Sequence, residues 1–249
     1  MKIKWLGHAS ALITSDSGTR IITDPYKPGY DIMPGGTLSY GSIEESADIV
    51  VVTHEHPDHN NVAAVRGNPE IIRGAEIRGV TAVKSRGIEF KGIPCYHDNV
   101  EGKLLGENTI VCFEVDGIRI CHSGDLGHQL SGEQIAELGR IDVLLLDVGL
   151  LLPAGEPKFI TNESGQRQEA GWGQYIINAD VANQVYDQLL PKVTIPIHYG
   201  NEKCSFNLAV VYEFLEGRKN VSMLNASELE FKQEKLPVNP QIVVLKPAL

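Results

Sequence analysis

The sequence has no apolar run long enough to cross a bilayer. Its longest, such as Val143–Leu146, fall far short of the roughly 20 residues a spanning helix needs, so no membrane partner is expected. Near the start, Gly7, His8 and Ser10 interrupt the apolar core that a secretory signal requires after Lys2 and Lys4, and a cytoplasmic setting is expected. There is no run of Lys or Arg, and the net charge is −10. Nonspecific nucleic-acid binding rests on basic residues that neutralise phosphates, so a nucleic-acid polymer is not an expected partner. The four cysteines (Cys95, Cys112, Cys121 and Cys204) form no Cys-x-x-Cys pair, which argues against a structural zinc site or a redox motif. Cys112 and Cys121 lie in apolar strand-like runs and read as small, reduced core residues. No Gly-x-Ser-x-Gly occurs, so no serine nucleophile of that kind is expected. No internal repeat is visible, and 249 residues suit one large domain over 1–249 rather than two.

What stands out instead is histidine. Thr53-His54-Glu55-His56-Pro57-Asp58-His59 follows directly on the apolar run Ile49-Val50-Val51-Val52. Imidazole and carboxylate together suit Zn, Mn or Fe. His54 and His56 are two residues apart, so in extended chain they point the same way. Pro57 fixes its own φ and turns the chain before Asp58 and His59. Two metal positions are suggested, one for the first histidine pair and one for Asp58 and His59. A buried strand reads as a continuous apolar run, and α/β folds place sites at the strands' carboxyl ends.

Along the rest of the chain, Lys2 to Thr14 and Thr19 to Thr23 read as strands joined by the turn Ser15-Asp16-Ser17-Gly18. Residues 25–41 read as a loop, and Ile43 to Asp48 as a short helix or turn. Asn60 to Arg66 reads as a short helix capped by Asn60 or Asn61. Short β-like runs fill 71–98 and end in Ile93-Pro94-Cys95-Tyr96-His97. Asp116-Gly117 between Thr109–Val115 and Ile118–Cys121 is a hairpin signal. Ser131 caps a helix that Gly139 stops. Ile141 to Val148 reads as a buried strand, and residues 149–177 as a long loop without period. Asn178 caps a helix through Leu190, with Ala182, Val185, Leu189 and Leu190 on one face. Val193 to Ile197 is a strand ending at His198; Leu208 to Leu215 is helical; Glu228–Phe231 and Ile242–Leu245 are strand-like. Strands first, then strand–helix alternation, predict layered α/β packing.

The chain resembles the metallo-β-lactamase-fold superfamily, whose signature is His-x-His-x-Asp-His after a strand. Within it, the chain is similar to the single-domain metal-dependent hydrolase branch that includes the ascorbate-lactone hydrolases. The resemblance is carried, in order, by Trp5-Leu6-Gly7-His8-Ala9-Ser10, Thr23-Asp24-Pro25, the cluster at 53–59, His122-Ser123-Gly124-Asp125, and Ile195-Pro196-Ile197-His198-Tyr199. It implies a four-layer αββα sandwich with metals at one edge, between the two sheets. It further implies two divalent metal ions, Zn or Mn first and Fe next. His54, His56 and His97 would hold the first, and Asp58, His59 and His198 the second, with Asp125 bridging both. His8 matches a family position at the cleft mouth, where it would orient substrate or protonate the leaving group. Asp24 would support a ligand histidine, and His122 and His128 are expected not to be ligands.

The activity implied is metal-dependent hydrolysis, in which a metal-bridging hydroxide, oriented with help from Asp58, attacks a small, anionic ester or lactone. The alternatives are a phosphodiesterase or nuclease acting on a small phosphodiester, an iron-pair oxidoreductase, or a non-catalytic binding protein that keeps the fold. The oxidoreductases of this kind carry a flavodoxin partner, for which this chain has no room. The expected partner is a small-molecule substrate, with a homo-oligomer as a second kind of association. One departure from the resemblance falls at Gly149–Ile177, where relatives have a short Gly-rich link and Thr-Met in place of Ile176-Ile177. This segment, with Phe159, Arg167, Trp172 and Tyr175, is expected to roof the pocket or mediate subunit contacts, so ascorbate lactone itself is not carried over as substrate.

Overall fold

The structure is a computed structural model, which describes residues 1–33, 36–79, 82–149, 158–161, 167–170, 179–205 and 208–249. Two sheets dominate. The six-stranded sheet runs, in spatial order, Glu228–Glu230, Lys2–Gly7, Ser10–Thr14, Arg20–Thr23, Ile49–Val52 and Glu70–Arg73. The eight-stranded sheet runs Val221–Met223, Gln241–Val244, Val193–Ile197, Val143–Asp147, Ile118–His122, Glu107–Val115, Ile88–Tyr96 and Val83–Ser85.

Alternation along the strands of the six-stranded sheet decides how they pack. Ile3, Trp5, Ala11, Ile13, Ile21, Ile49 and Val51 face the large core shared with the eight-stranded sheet. Their neighbours Leu6, Leu12, Ile22, Val50 and Val52 face a second core closed by Tyr26, Leu38, Tyr40, Ile43 and Leu208. Helices Gly132–Leu138, Ala179–Leu189 and Val211–Leu215 bury Leu138, Ala182, Val185, Tyr186, Val211 and Phe214 in the large core. The outer face of the six-stranded sheet is covered, among the described residues, by loop segments of 26–47 and the 3₁₀ turn Val62–Ala64. The αββα layering is therefore present, with a thin fourth layer. Among the described residues no helix is long and apolar enough to cross a membrane.

Several elements differ from the sequence reading. Lys2–Thr14 is two antiparallel strands, broken at Gly7 and His8, where φ is 136° and 50°. Residues 43–48 form no helix. Asn61 precedes a 3₁₀ turn without capping it; its side-chain amide donates to the Tyr26 carbonyl instead. The expected cap Asn178 lies outside the described residues. Leu190, expected on the buried face, leaves the helix with φ 43° and is 60% exposed; Tyr186 takes the inward position. The segment 149–177 contains an antiparallel hairpin, Lys158–Thr161 against Arg167–Ala170. Trp172 and Tyr175 lie outside the described residues, as do the side chains of Phe159 and Arg167. Cys112 and Cys121 are not free thiols: they stand opposite each other across the Asp116-Gly117 hairpin, Cα atoms 4.2 Å apart, and form a disulfide.

Candidate metal centre

Strand ends assemble the site. His54, Asp58 and His59 leave the end of Ile49–Val52, His97 follows Ile88–Tyr96, Asp125 follows Ile118–His122, and His198 follows Val193–Ile197. Asp24 follows Arg20–Thr23, and His8 sits in the turn between the first two strands. Three of these residues have positive φ without being glycine: His8 at 50°, Asp24 at 38° and His198 at 56°. Such conformations cost about 1–3 kcal/mol each and persist where the surroundings over-determine them. Gly124, with φ 53°, is fixed by space as well, since a Cβ there would lie 2.4 Å from Asn108 Oδ1 and 2.6 Å from Thr53 Oγ1.

Asp125 Oδ2 is the focal atom. Four imidazole Nε2 atoms converge on it: His97 at 3.0 Å, His59 at 3.2 Å, His198 at 3.7 Å and His54 at 3.8 Å. The rings of His54, His56 and His97 lie mutually 4.7–4.9 Å apart. On the other side, Asp58 Oδ2 lies 3.6 Å from His59 Nε2 and 3.1 Å from His8 Nε2, and the His8 and His198 rings meet at a tilt of 43° with centroids 4.1 Å apart. All of these residues are buried except His56, which is partly exposed.

Behind the cluster, Asp24 gathers three groups on Oδ2: His122 Nε2 at 2.7 Å, the Thr53 hydroxyl at 2.7 Å and His59 Nδ1 at 3.1 Å. It thereby fixes the ring orientation of His59, the supporting role expected of it. His122 is spent on Asp24, and His128 contacts Tyr96 N and the Gln129 carbonyl, so neither joins the cluster. His8, expected at the mouth of the cleft, has no exposed surface, and its Nε2 lies 3.1 Å from Asp58 Oδ2.

Charge follows from this packing. Burial pushes the His59 imidazolium down, but Asp125 and Asp58 outweigh it and hold its pKa well above the usual histidine range. His198 is likewise held up at about 9 against burial, by Asp125 and Asp147. His97 is raised against burial by Asp125. Burial raises Asp125, yet His198 and His59 bring it well below the carboxylate range. Burial dominates at His54 and His56, which are lowered, and at His8, lowered to about 4.

The donor set fits divalent cations. Among the described residues, Nε2 of His54, His59 and His198 and Oδ1 of Asp125 are buried without a hydrogen-bond partner, whereas buried polar atoms are normally satisfied. His54, His56 and His97 bring one donor atom each within 4.8 Å of one another, and so do His8, Asp58, His59 and His198. Two residues of this region escaped the sequence reading. Asp147 contacts His198 Nδ1 at 3.3 Å. Asp98, next to His97, accepts four backbone N–H groups. Only their places at strand ends could have marked them.

Comparison with known proteins agrees with this geometry. The family described as Beta-lactamase superfamily domain matches residues 2–198. A UPF0173 metal-dependent hydrolase of Archaeoglobus fulgidus is 28% identical over 222 residues, covering 80% of this chain and 83% of its own. One from Thermus thermophilus is 28% identical over 217 residues, covering 80% and 84%. The crystal structure of a candidate Zn-dependent hydrolase of the metallo-beta-lactamase superfamily from Thermotoga maritima is 31% identical. It superposes with a TM-score of 0.67, over 98% of this chain and 97% of its own.

Proposed function

The chain belongs to the metallo-β-lactamase superfamily and, within it, to the UPF0173 metal-dependent hydrolases; from that premise we propose that it binds two divalent cations and hydrolyses a small, anionic ester or lactone. The observation that carries the reading is the convergence of four imidazoles on Asp125, with buried donor atoms that have no hydrogen-bond partner among the described residues. His54, His56 and His97 would hold one cation; Asp58, His59 and His198 the other; Asp125 would serve both. Imidazole and carboxylate donors favour Zn or Mn, with Fe next. Bound there, the cations supply Lewis acidity and make water a competent nucleophile near neutral pH.

The chain's own residues do the rest. Asp58, against His8 Nε2 at 3.1 Å, is held in one orientation and is placed to orient the attacking water. His8 serves through Asp58, since it is wholly buried behind it. His56, partly exposed, marks the side from which substrate enters. A net charge of −10 without a basic run supports a small substrate over a nucleic-acid polymer.

The test is metal content by mass spectrometry on tag-free wild type and Asp125→Ala, followed by a lactone panel against a bis-aryl phosphate. About two metals per chain, lost in the variant together with turnover, is the expected result. Full activity in Asp125→Ala would sink the bridging role. Turnover of the aryl phosphate alone would move the substrate class to phosphodiesters.

A further inference from the structure

The strand Val143–Asp147 runs parallel to Val193–Ile197, with Asp147 opposite Ile197. That register brings Asp147 beside the next residue, His198. The Asp147 carboxylate is fully buried. Its Oδ1 accepts the Gly149 N–H at 2.8 Å and lies 3.3 Å from His198 Nδ1, an ion-pair contact that stops short of a formed hydrogen bond and leaves Nδ1 with no other partner among the described residues. Its Oδ2 has no hydrogen-bond partner among the described residues. Burying a carboxylate so sparsely satisfied is costly, and an apolar residue would serve a strand interior better.

The geometry points to Asp147 as a positioning residue that holds His198 in the tautomer protonated at Nδ1, so that Nε2 faces Asp125 free to ligate a cation. This rests on the metal-centre reading above. An imidazole that ligates through Nε2 must carry its proton on Nδ1, and a carboxylate acceptor there both fixes the tautomer and makes the ring a better donor.

The surroundings are built for this contact. A Cβ on Gly149 would stand 2.0 Å from the His198 carbonyl oxygen, so a side chain would collide where the backbone turns back to reach Asp147. The Asp147 N–H donates to Ser123 Oγ at 3.0 Å, which ties Asp147 to the segment that delivers Asp125. His59 is likewise backed by a carboxylate, its Nδ1 hydrogen-bonded to Asp24 Oδ2 at 3.1 Å. Both imidazoles of the Asp58–His59–His198 position thus stand on buried carboxylates. Among the described residues, His54, of the other position, has its Nδ1 against the Thr53 hydroxyl at 3.1 Å and no carboxylate there. Asp147 accordingly governs one cation position and not both.

The experiment is a chelator-competed zinc titration of metal-free wild type, Asp147→Asn and Asp147→Ala, with long-range ¹H–¹⁵N spectra of the zinc-loaded wild type. Removing such an outer partner typically weakens metal binding about 10–100-fold, expected here for one equivalent with the other unchanged. The spectra should show His198 protonated at Nδ1, a readout that needs no variant and stands even if a variant misfolds. Variants matching the wild type at both equivalents, or His198 protonated at Nε2, would overturn the role of Asp147 while leaving the metal centre intact. Wild type that takes up no zinc would remove the metal centre, and this inference with it. A third equivalent lost in the variants would make Asp147 a ligand and overturn its positioning role.

Discussion

At the residue scale, Asp125 organises the site and its histidine partners differ in what stands behind them. The ligand candidates were legible in the sequence because each closes an apolar strand or lies in the 53–59 cluster. Asp147 and Asp98 were not, because a supporting carboxylate is defined by what packs against it and, unlike Asp24, neither stands in a motif that the resemblance covers. His8 was marked by the resemblance as a cleft-mouth residue; the structure buries it fully, with Nε2 3.1 Å from Asp58 Oδ2. His8→Ala should therefore lower kcat about 10–100-fold, as loss of an outer partner does, with a smaller change in KM. A KM effect larger than the kcat effect would return His8 to direct substrate contact.

At the scale of elements, the segment after His97 is held by one side chain. Asp98 Oδ1 accepts the N–H groups of Val100 and Gly102, and Oδ2 those of Leu104 and Leu105, at 2.8–2.9 Å. Hydrogen bonds to a charged group contribute about 1.5–3 kcal/mol each, though not additively. Asp98→Ala should cost about 2–4 kcal/mol in a denaturant melt and loosen amide exchange over 99–105. Unchanged exchange there would show that the loop is held by other contacts. The sequence disclosed elements whose signals are local: the Asp116-Gly117 hairpin, with φ 52° and 72°, and the Ser131 helix with its capping box. It did not disclose pairings that depend on distant chain, such as Val221–Met223 on Gln241–Val244. The Cys112–Cys121 bond is local by contrast: the two-residue turn of the disclosed hairpin sets 112 opposite 121, a register the reading of both as reduced core residues did not use. Alkylation of the denatured, unreduced protein should label Cys95 and Cys204 and spare Cys112 and Cys121; labelling of all four would refute the bond.

At the scale of the whole molecule, the cluster should make metal and protons opposed partners in stability. Layered α/β packing was legible in outline from strands first and strand–helix alternation later, whereas the αββα sandwich came from the resemblance, because the first strands are buried on both faces and show no simple alternation. What the outline omits is the balance of charge at its edge. Without metal, His198 is raised from 6.5 to about 9, and His59 and His97 are raised too. A histidine whose folded pKa exceeds its unfolded value stabilises fully below the unfolded value, and that stabilisation is lost as pH rises through the folded one. The lowered histidines, His8, His54 and His56, have finished titrating below this window and do not oppose the trend. Metal-free protein should therefore lose stability between about pH 6.5 and 9. Metal binding needs the same imidazoles neutral, so the stabilisation it confers should grow over that interval as fewer protons must be displaced. Thermal melts with and without zinc across pH 6–9 should diverge steadily, and calorimetric titration near pH 7 should register proton release. Parallel melting curves would mean that these histidines are not the groups that bind the metal.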